Sequence, residues 1–263
     1  MLELLIQDVN GEIKAQHRGN DCAYLGYKGT YNVGDKIIIK NDSADKDYLM
    51  VKLDASLDTT FIYMPGAEWH YTIPEVHDRT AYYPFSFKGE RHYIEVRYAK
   101  EYEIYQYRNL ALNPHDQKED TGVYPHASAN VETRNETVFF ARNAIDGVLA
   151  NDYHGRYPFQ SWGINRQEDA YLKLEFGRPV NIDTIELVLR GDYPHDSYWT
   201  EASLEFSDGT EEKVLLDKLL TPQLMSIQKE NIEWLILKDL IKHEDESPFP
   251  ALTQLKVFGT EGF

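Results

Sequence analysis

Cysteine is almost absent. Cys22 is the only one in 263 residues, so no intrachain disulfide can form and stability has to come from apolar cores. Basic residues are scarce beside acidic ones, 27 Lys and Arg against 44 Asp and Glu, for a formal net charge of -17. A surface of that sign repels phosphate backbones, which argues against a nucleic-acid partner, and it opposes anionic membranes. No apolar run approaches the roughly 20 residues that a helical span needs, so no transmembrane segment is expected. The opening stretch Met1-Leu2-Glu3-Leu4-Leu5-Ile6-Gln7-Asp8 lacks a basic start and a long apolar stretch. It reads as a β-strand and not a signal peptide, which makes the cytoplasm the expected location, or the exterior if a leader has been removed.

The marks of familiar catalysis are missing as well. There is no Gly-x-Ser-x-Gly elbow, no His-Glu-x-x-His zinc site, no phosphate loop and no dinucleotide fingerprint. Among the nine histidines, His70 and His77 stand seven residues apart, which suits no standard metal geometry. Carboxylate pairs such as Asp192 with Asp196, or Glu68 with Glu75, are cheap in so acidic a chain. A non-catalytic role is therefore favoured.

Aromatic residues are abundant, at 13% of the chain with nineteen tyrosines and four tryptophans. They suit pleated, half-buried surfaces. Short β-rich runs recur at Leu2 to Asp8, Lys36 to Lys40, Tyr48 to Asp54, Thr59 to Met64, Trp69 to Ile73, Tyr82 to Phe87, Tyr93 to Tyr98 and Glu103 to Tyr107. No useful amphipathic helix precedes residue 110. Further runs lie at Tyr171 to Phe176, Thr184 to Leu189, Ser203 to Phe206, Lys213 to Leu216, Trp234 to Leu237 and Leu255 to Phe258, with one short helical candidate at Phe139 to Ala144. The pattern predicts an all-β chain of two β-sandwich domains, 1–108 and 109–263, divided near Tyr107-Arg108-Asn109. No flexible linker separates them, so they are expected to pack together.

Asn143-Ala144-Ile145-Asp146-Gly147 is a tight acidic turn, and Trp162 follows fifteen residues after Gly147. Asn109-Leu110-Ala111 precedes it; Ala170-Tyr171-Leu172-Lys173-Leu174-Glu175-Phe176-Gly177, Ile182 to Arg190 and Leu255-Lys256-Val257-Phe258-Gly259 follow. This order resembles the discoidin (factor V/VIII type C) domain and its relatives, the family 32 carbohydrate-binding modules, over residues 109–259. The N-terminal part resembles no recognised family. The resemblance implies a galactose-binding-like jelly roll whose end loops take a sugar. It also implies a structural calcium ion at the acidic turn, with Asp146 as a side-chain ligand and oxygens of Asn143 and near Asn151 beside it. Where the family has a glutamate before the last strand, this chain has Gln254, which brings no charge to a hard cation.

The loop Arg190-Gly191-Asp192-Tyr193-Pro194-His195-Asp196-Ser197-Tyr198-Trp199 is dense in charged and aromatic groups. A sugar needs an aromatic plate for its C–H face and planar polar groups for its hydroxyls. Trp199 or Tyr193 is the candidate plate, with Arg190, Asp192 and His195 as the rim. The alternative is an internal network in which Arg190 pairs with Asp192 or Asp196 and Trp199 packs in the core. His154, Arg156, Tyr157 and Phe159, with His126 on an earlier loop, are candidates for the same end, and Trp162 is expected in the core. The leading expectation is carbohydrate binding. Its rivals are a glycan-active hydrolase or lyase at the domain junction and a protein-interaction module with an exposed apolar patch.

Overall fold

The computed structural model describes residues 1–43, 47–75 and 77–262. Eight strands build the first half: β1 (Leu2–Gln7), β2 (Ile13–Gly19), β3 (Cys22–Lys28), β4 (Lys36–Asn41), β5 (Tyr48–Lys52), β6 (Thr60–Tyr63), β7 (Glu68–Thr72) and β8 (Arg91–Tyr98). They form two antiparallel four-stranded sheets, in the orders β2-β1-β4-β7 and β3-β8-β5-β6. The inner faces alternate as period-2 patterning requires. Leu2, Leu4 and Ile6 of one sheet join Leu49, Val51, Ile94 and Val96 of the other in a single core around Trp69 and Tyr71. This is the expected sandwich.

Three local readings need correcting. The strands β2 and β3 were not foreseen; both are edge strands, and β2, Ile-Lys-Ala-Gln-His-Arg-Gly, is polar and has no fully buried residue, as edges that resist aggregation tend to be. Tyr82 to Phe87 is not a strand, because Asp54 Oδ2 accepts the Phe87 N–H at 2.9 Å and draws Phe87 into the core with a φ of 56°. Glu103 to Tyr107 is not a strand either. Glu103 takes both guanidinium nitrogens of Arg97, at 2.6 and 2.7 Å, and accepts the Lys100 N–H at 2.7 Å, which winds α1 (Glu101–Tyr105).

The second half comprises β9 (Arg108–Asn109), β10 (His126–Ala129), β11 (Trp162–Gly163), β12 (Leu172–Leu189), β13 (Trp199–Phe206), β14 (Glu211–Leu215), β15 (Gln223–Lys242) and β16 (Ala251–Glu261). The expected separate strands at Tyr171 to Phe176 and Thr184 to Leu189 are one bent strand, β12. Its first part, Leu172 to Glu175, lies between β10 and the far half of β15; its last part, Thr184 to Leu187, lies between β16 and the near half of β15. Register shifts between Glu175 and Thr184 make the corner, so the same strands serve both faces of a sandwich. Gly177, at φ 68°, is required there, since a Cβ would lie 2.2 Å from the Tyr124 ring. The enclosed core holds Trp162, as expected, together with Leu174, Phe176, Leu204, Leu235 and Leu255. The predicted helix at Phe139 to Ala144 is two 3-10 turns, Thr137–Phe139 and Ala141–Ile145. No helix of the described residues is long and apolar enough to cross a membrane.

The two halves meet through buried polar groups. Glu261 receives Arg178 through two bonds of 2.7 and 2.8 Å, a further bond from Arg108, and the Tyr48 hydroxyl at 3.1 Å. Gln117 pairs with both backbone groups of Thr72, and Tyr63 and Tyr124 exchange backbone bonds of 2.9 Å. His115, wholly buried, donates its Nε2–H to the carbonyls of Val51 at 3.0 Å and Asp58 at 3.2 Å.

Burial pushes the His115 pKa down to about 4. In the unfolded chain an imidazole titrates near 6.5. The unfolded state therefore binds the extra proton between those values, and stability present above pH 6.5 is lost as the pH falls toward 4. The expected loss from this group is about 3 kcal/mol. Urea unfolding at several pH values should show it, and His115→Gln should flatten the slope in that window. Equal slopes in both proteins would refute the assignment.

Candidate functional site

The loops after β12 and β15 emerge at one end of the second sandwich, because Leu189 pairs with Leu252 and Trp199 with Lys242. Between them and the segments around Thr133 and Asn165 lies a cavity of about 430 Å³. Arg190 is its anchor. Its N–H is held by the Ala251 carbonyl at 3.0 Å, while Nη2 donates to the Asp196 carboxylate and to the Phe249 carbonyl at 2.9 Å. Both members of the ion pair are buried, and Arg190 Nε and Asp196 Oδ2 have no partner among the described residues. Burial raises the Asp196 pKa, and the Arg190 charge opposes that rise.

Phe249 stands between Pro248 and Pro250 on the β15–β16 loop with 41% of its surface exposed. The Arg166 guanidinium lies 4.6 Å from the centre of its ring. Asn165 and Arg166 both have positive φ, 48° and 61°, and the Asn165 N–H is pinned to Thr133 Oγ1 at 2.9 Å. At the mouth, the His154 and His195 rings are 6.1 Å apart, and His154 Nδ1 meets Asp192 Oδ2 at 2.5 Å. An apolar face is thus rimmed by donors and acceptors.

Of the residues singled out from the sequence, Arg190, His154 and His195 line this cavity, and Asp192 supports His154 from behind. Trp199 does not reach it. It is 1% exposed, its ring 6.3 Å from that of Trp162, so it is core and offers no face to a ligand. The other plate candidate, Tyr193, is covered by Lys218, whose Nζ sits 4.2 Å from the ring centre. Arg156 lines an adjoining cavity that shares His154 and Arg134. Tyr157 lies elsewhere, in a cavity between the halves, with its ring against Tyr83. His126 is buried in β10 and paired with Asp116 at 2.8 Å. Arg190 pairs with Asp196, the internal arrangement that the loop also allowed. Arg166 and Phe249 were missed. An aromatic flanked by two prolines in an acidic loop was the available signal for Phe249; no local signal marks Arg166.

At the acidic turn, Asn143, Asp146 and Gln254 come together and Asn151 does not. The Asn151 side-chain amide donates to the carbonyls of Leu189 and Leu220, each at 2.8 Å, and the Asn151 backbone carbonyl accepts the Gly191 N–H. The Gln254 amide nitrogen stands 2.7 Å from the Asn143 carbonyl, 2.7 Å from the Thr253 carbonyl and 2.8 Å from Asp146 Oδ1. Its Oε1 accepts the Gly147 N–H at 3.0 Å, which fixes the orientation of the amide. Oxygens that would surround a cation here surround an N–H donor, and as arranged these residues do not fit calcium. Asp146 also accepts from Val148 N–H and Gln160. The residue keeps some exposure, but its carboxyl is enclosed by these groups, and burial raises its pKa to about 6 against the pull of Arg142. A parallel case exists at the loop end. His154, Asp192 and Asp196 present ligand atoms within 4.8 Å of one another, and the Arg190 guanidinium already supplies positive charge to Asp196.

Asp146 and Asp196, the two carboxyls among the described residues that burial raises, line different cavities. They do not assemble the paired acids that glycoside hydrolysis at the junction would require.

No family model matches the chain, and no curated protein matches it. Among solved structures it is similar to chitosan-binding module 1 from a Paenibacillus sp. IK-5 chitosanase/glucanase, at 14% identity over 58% of this chain and 99% of that one, with a TM-score of 0.40. It is also similar to a Streptococcus pneumoniae fucose-binding module, at 14% identity over 59% of this chain and 99% of that one, with a TM-score of 0.40. A third likeness is to the family 32 carbohydrate-binding module of C. perfringens NanJ, at 18% identity over 50% of this chain and 91% of that one, with a TM-score of 0.38.

Proposed function

We propose that this protein is a non-catalytic carbohydrate-binding module whose site is the loop-end cavity of the second sandwich. The observation that carries the reading is the pairing of a half-exposed Phe249 ring with the polar rim of Arg166, His154 and His195 around one cavity. The apolar C–H face of a sugar packs on the ring while its hydroxyls exchange water for the rim. That exchange yields little net free energy, so affinity should be modest, with a Kd of about 10 µM to 1 mM. In this reading the Gln254 amide takes the place of a cation, and binding does not depend on calcium.

The test is a glycan-array screen of the full chain with and without calcium, alongside Phe249→Ala and His154→Ala, both exposed enough to spare the fold. Saturable binding to a defined sugar, weakened about tenfold by Phe249→Ala and unmoved by chelator, is the expected result. Binding to no sugar, or binding indifferent to both substitutions, would refute the assignment of function or of site.

A further inference from the structure

The loop-end cavity holds in its wall an arginine without a carboxylate partner among the described residues. Its wall carries Arg134, Arg166 and Arg190 against Asp196 and Glu246, in a chain with a formal net charge of -17. Arg134 is neutralised by Glu136, with bonds of 2.6 and 2.8 Å, and Arg190 by Asp196. Arg166 has no carboxylate partner among the described residues; its contact is the Phe249 ring. Arg166 is exposed, so its charge is balanced by solvent and stands ready for an anionic ligand. Arg190 adds a second sign: it is 5% exposed, and its buried Nε has no acceptor. A buried donor without a partner is costly and calls for an explanation.

The backbone points the same way. Two consecutive non-glycine residues, Asn165 and Arg166, are held in the left-handed region. Backbone held there is strained, and such strain concentrates at binding sites. Here it sets the Arg166 guanidinium 4.6 Å from the centre of the Phe249 ring at the cavity wall.

We propose that the sugar bound here carries an anionic substituent, a carboxylate or a sulfate, received by Arg166 beside the Phe249 ring, in a wall that also holds the unpartnered Arg190 Nε. The inference rests on the carbohydrate-binding reading and names its ligand class. A planar guanidinium offers two parallel N–H groups to such an oxyanion, and the bond is charge-assisted. The negative surface beyond the cavity is screened within about 8 Å at physiological ionic strength, so it does not cancel this local attraction.

The experiment is a titration of the full chain with matched sugars: galactose, galacturonate and galactose 6-sulfate, then glucose, glucuronate and glucose 6-sulfate. The expected result is a preference of about tenfold or more for an acidic member over its neutral parent, weakened in about 1 M salt. Arg166→Glu should abolish the preference and Arg166→Lys should retain part of it. Preference for the carboxylate or the sulfate arm identifies the substituent. Neutral and acidic sugars bound equally well would overturn this inference and leave the module reading standing. No sugar bound in any arm would overturn both.

Discussion

Replacing Glu261 by alanine is expected to destabilise the protein by about 3–5 kcal/mol, the cost of leaving buried cations without their partner. Its carboxylate accepts from Arg178 at 2.7 and 2.8 Å, from Arg108, and from the Tyr48 hydroxyl at 3.1 Å. Both guanidiniums are nearly inaccessible, at 4% and 10% side-chain exposure. They are also walled by rings, with Arg108 3.8 Å from the centre of Phe61 and Arg178 5.3 Å from that of Tyr63. Little water therefore reaches the site to replace the lost carboxylate. Arg178 and Glu261 belong to the second sandwich, while Tyr48, Phe61 and Tyr63 belong to the first, so the substitution also weakens their coupling. Chemical denaturation should show a lower midpoint and a transition that begins to separate into two. A loss below about 1 kcal/mol would mean the cluster contributes no more than a surface pair.

The second large effect is expected at Gln254. Glutamate there differs by one group, yet it exchanges an N–H donor for a charged acceptor that faces the Asn143 and Thr253 carbonyls and Asp146 Oδ1 at 2.7–2.8 Å. With no proton among four oxygens, Gln254→Glu should cost about 3 kcal/mol or more. A hard divalent cation would then be the group that fits, so calcium should restore much of the lost stability. The wild-type melting temperature should not move with calcium. A calcium-induced rise in the wild type, or a substituted protein equally stable with and without the ion, would contradict the role given to the amide.

The sites differ in how much of them could be read from the chain. Trp162 and Trp199 are both large apolar residues at the start of strands, and nothing local tells that both are buried. Register decides, because the pairing of Trp199 with Lys242 turns its ring inward, against Trp162. Arg190 was legible as the residue leaving a central strand. That its charge is answered by Asp196 became visible only when the loop closed on itself. Phe249 and Arg166 are 83 positions apart and meet across a cavity that no spacing rule describes.

By itself, the sequence determined the all-β class and most strand positions, because period-2 alternation is a local property of each run. It also determined the absence of disulfides, and it placed glutamine where the resembling family carries glutamate. Tertiary structure alone decided which aromatic is exposed at the loop-end cavity, which arginine lies beside it, and what the Gln254 amide touches. Those properties belong to groups that are distant in the chain, and only the packing of loops and sheets sets the distances between them.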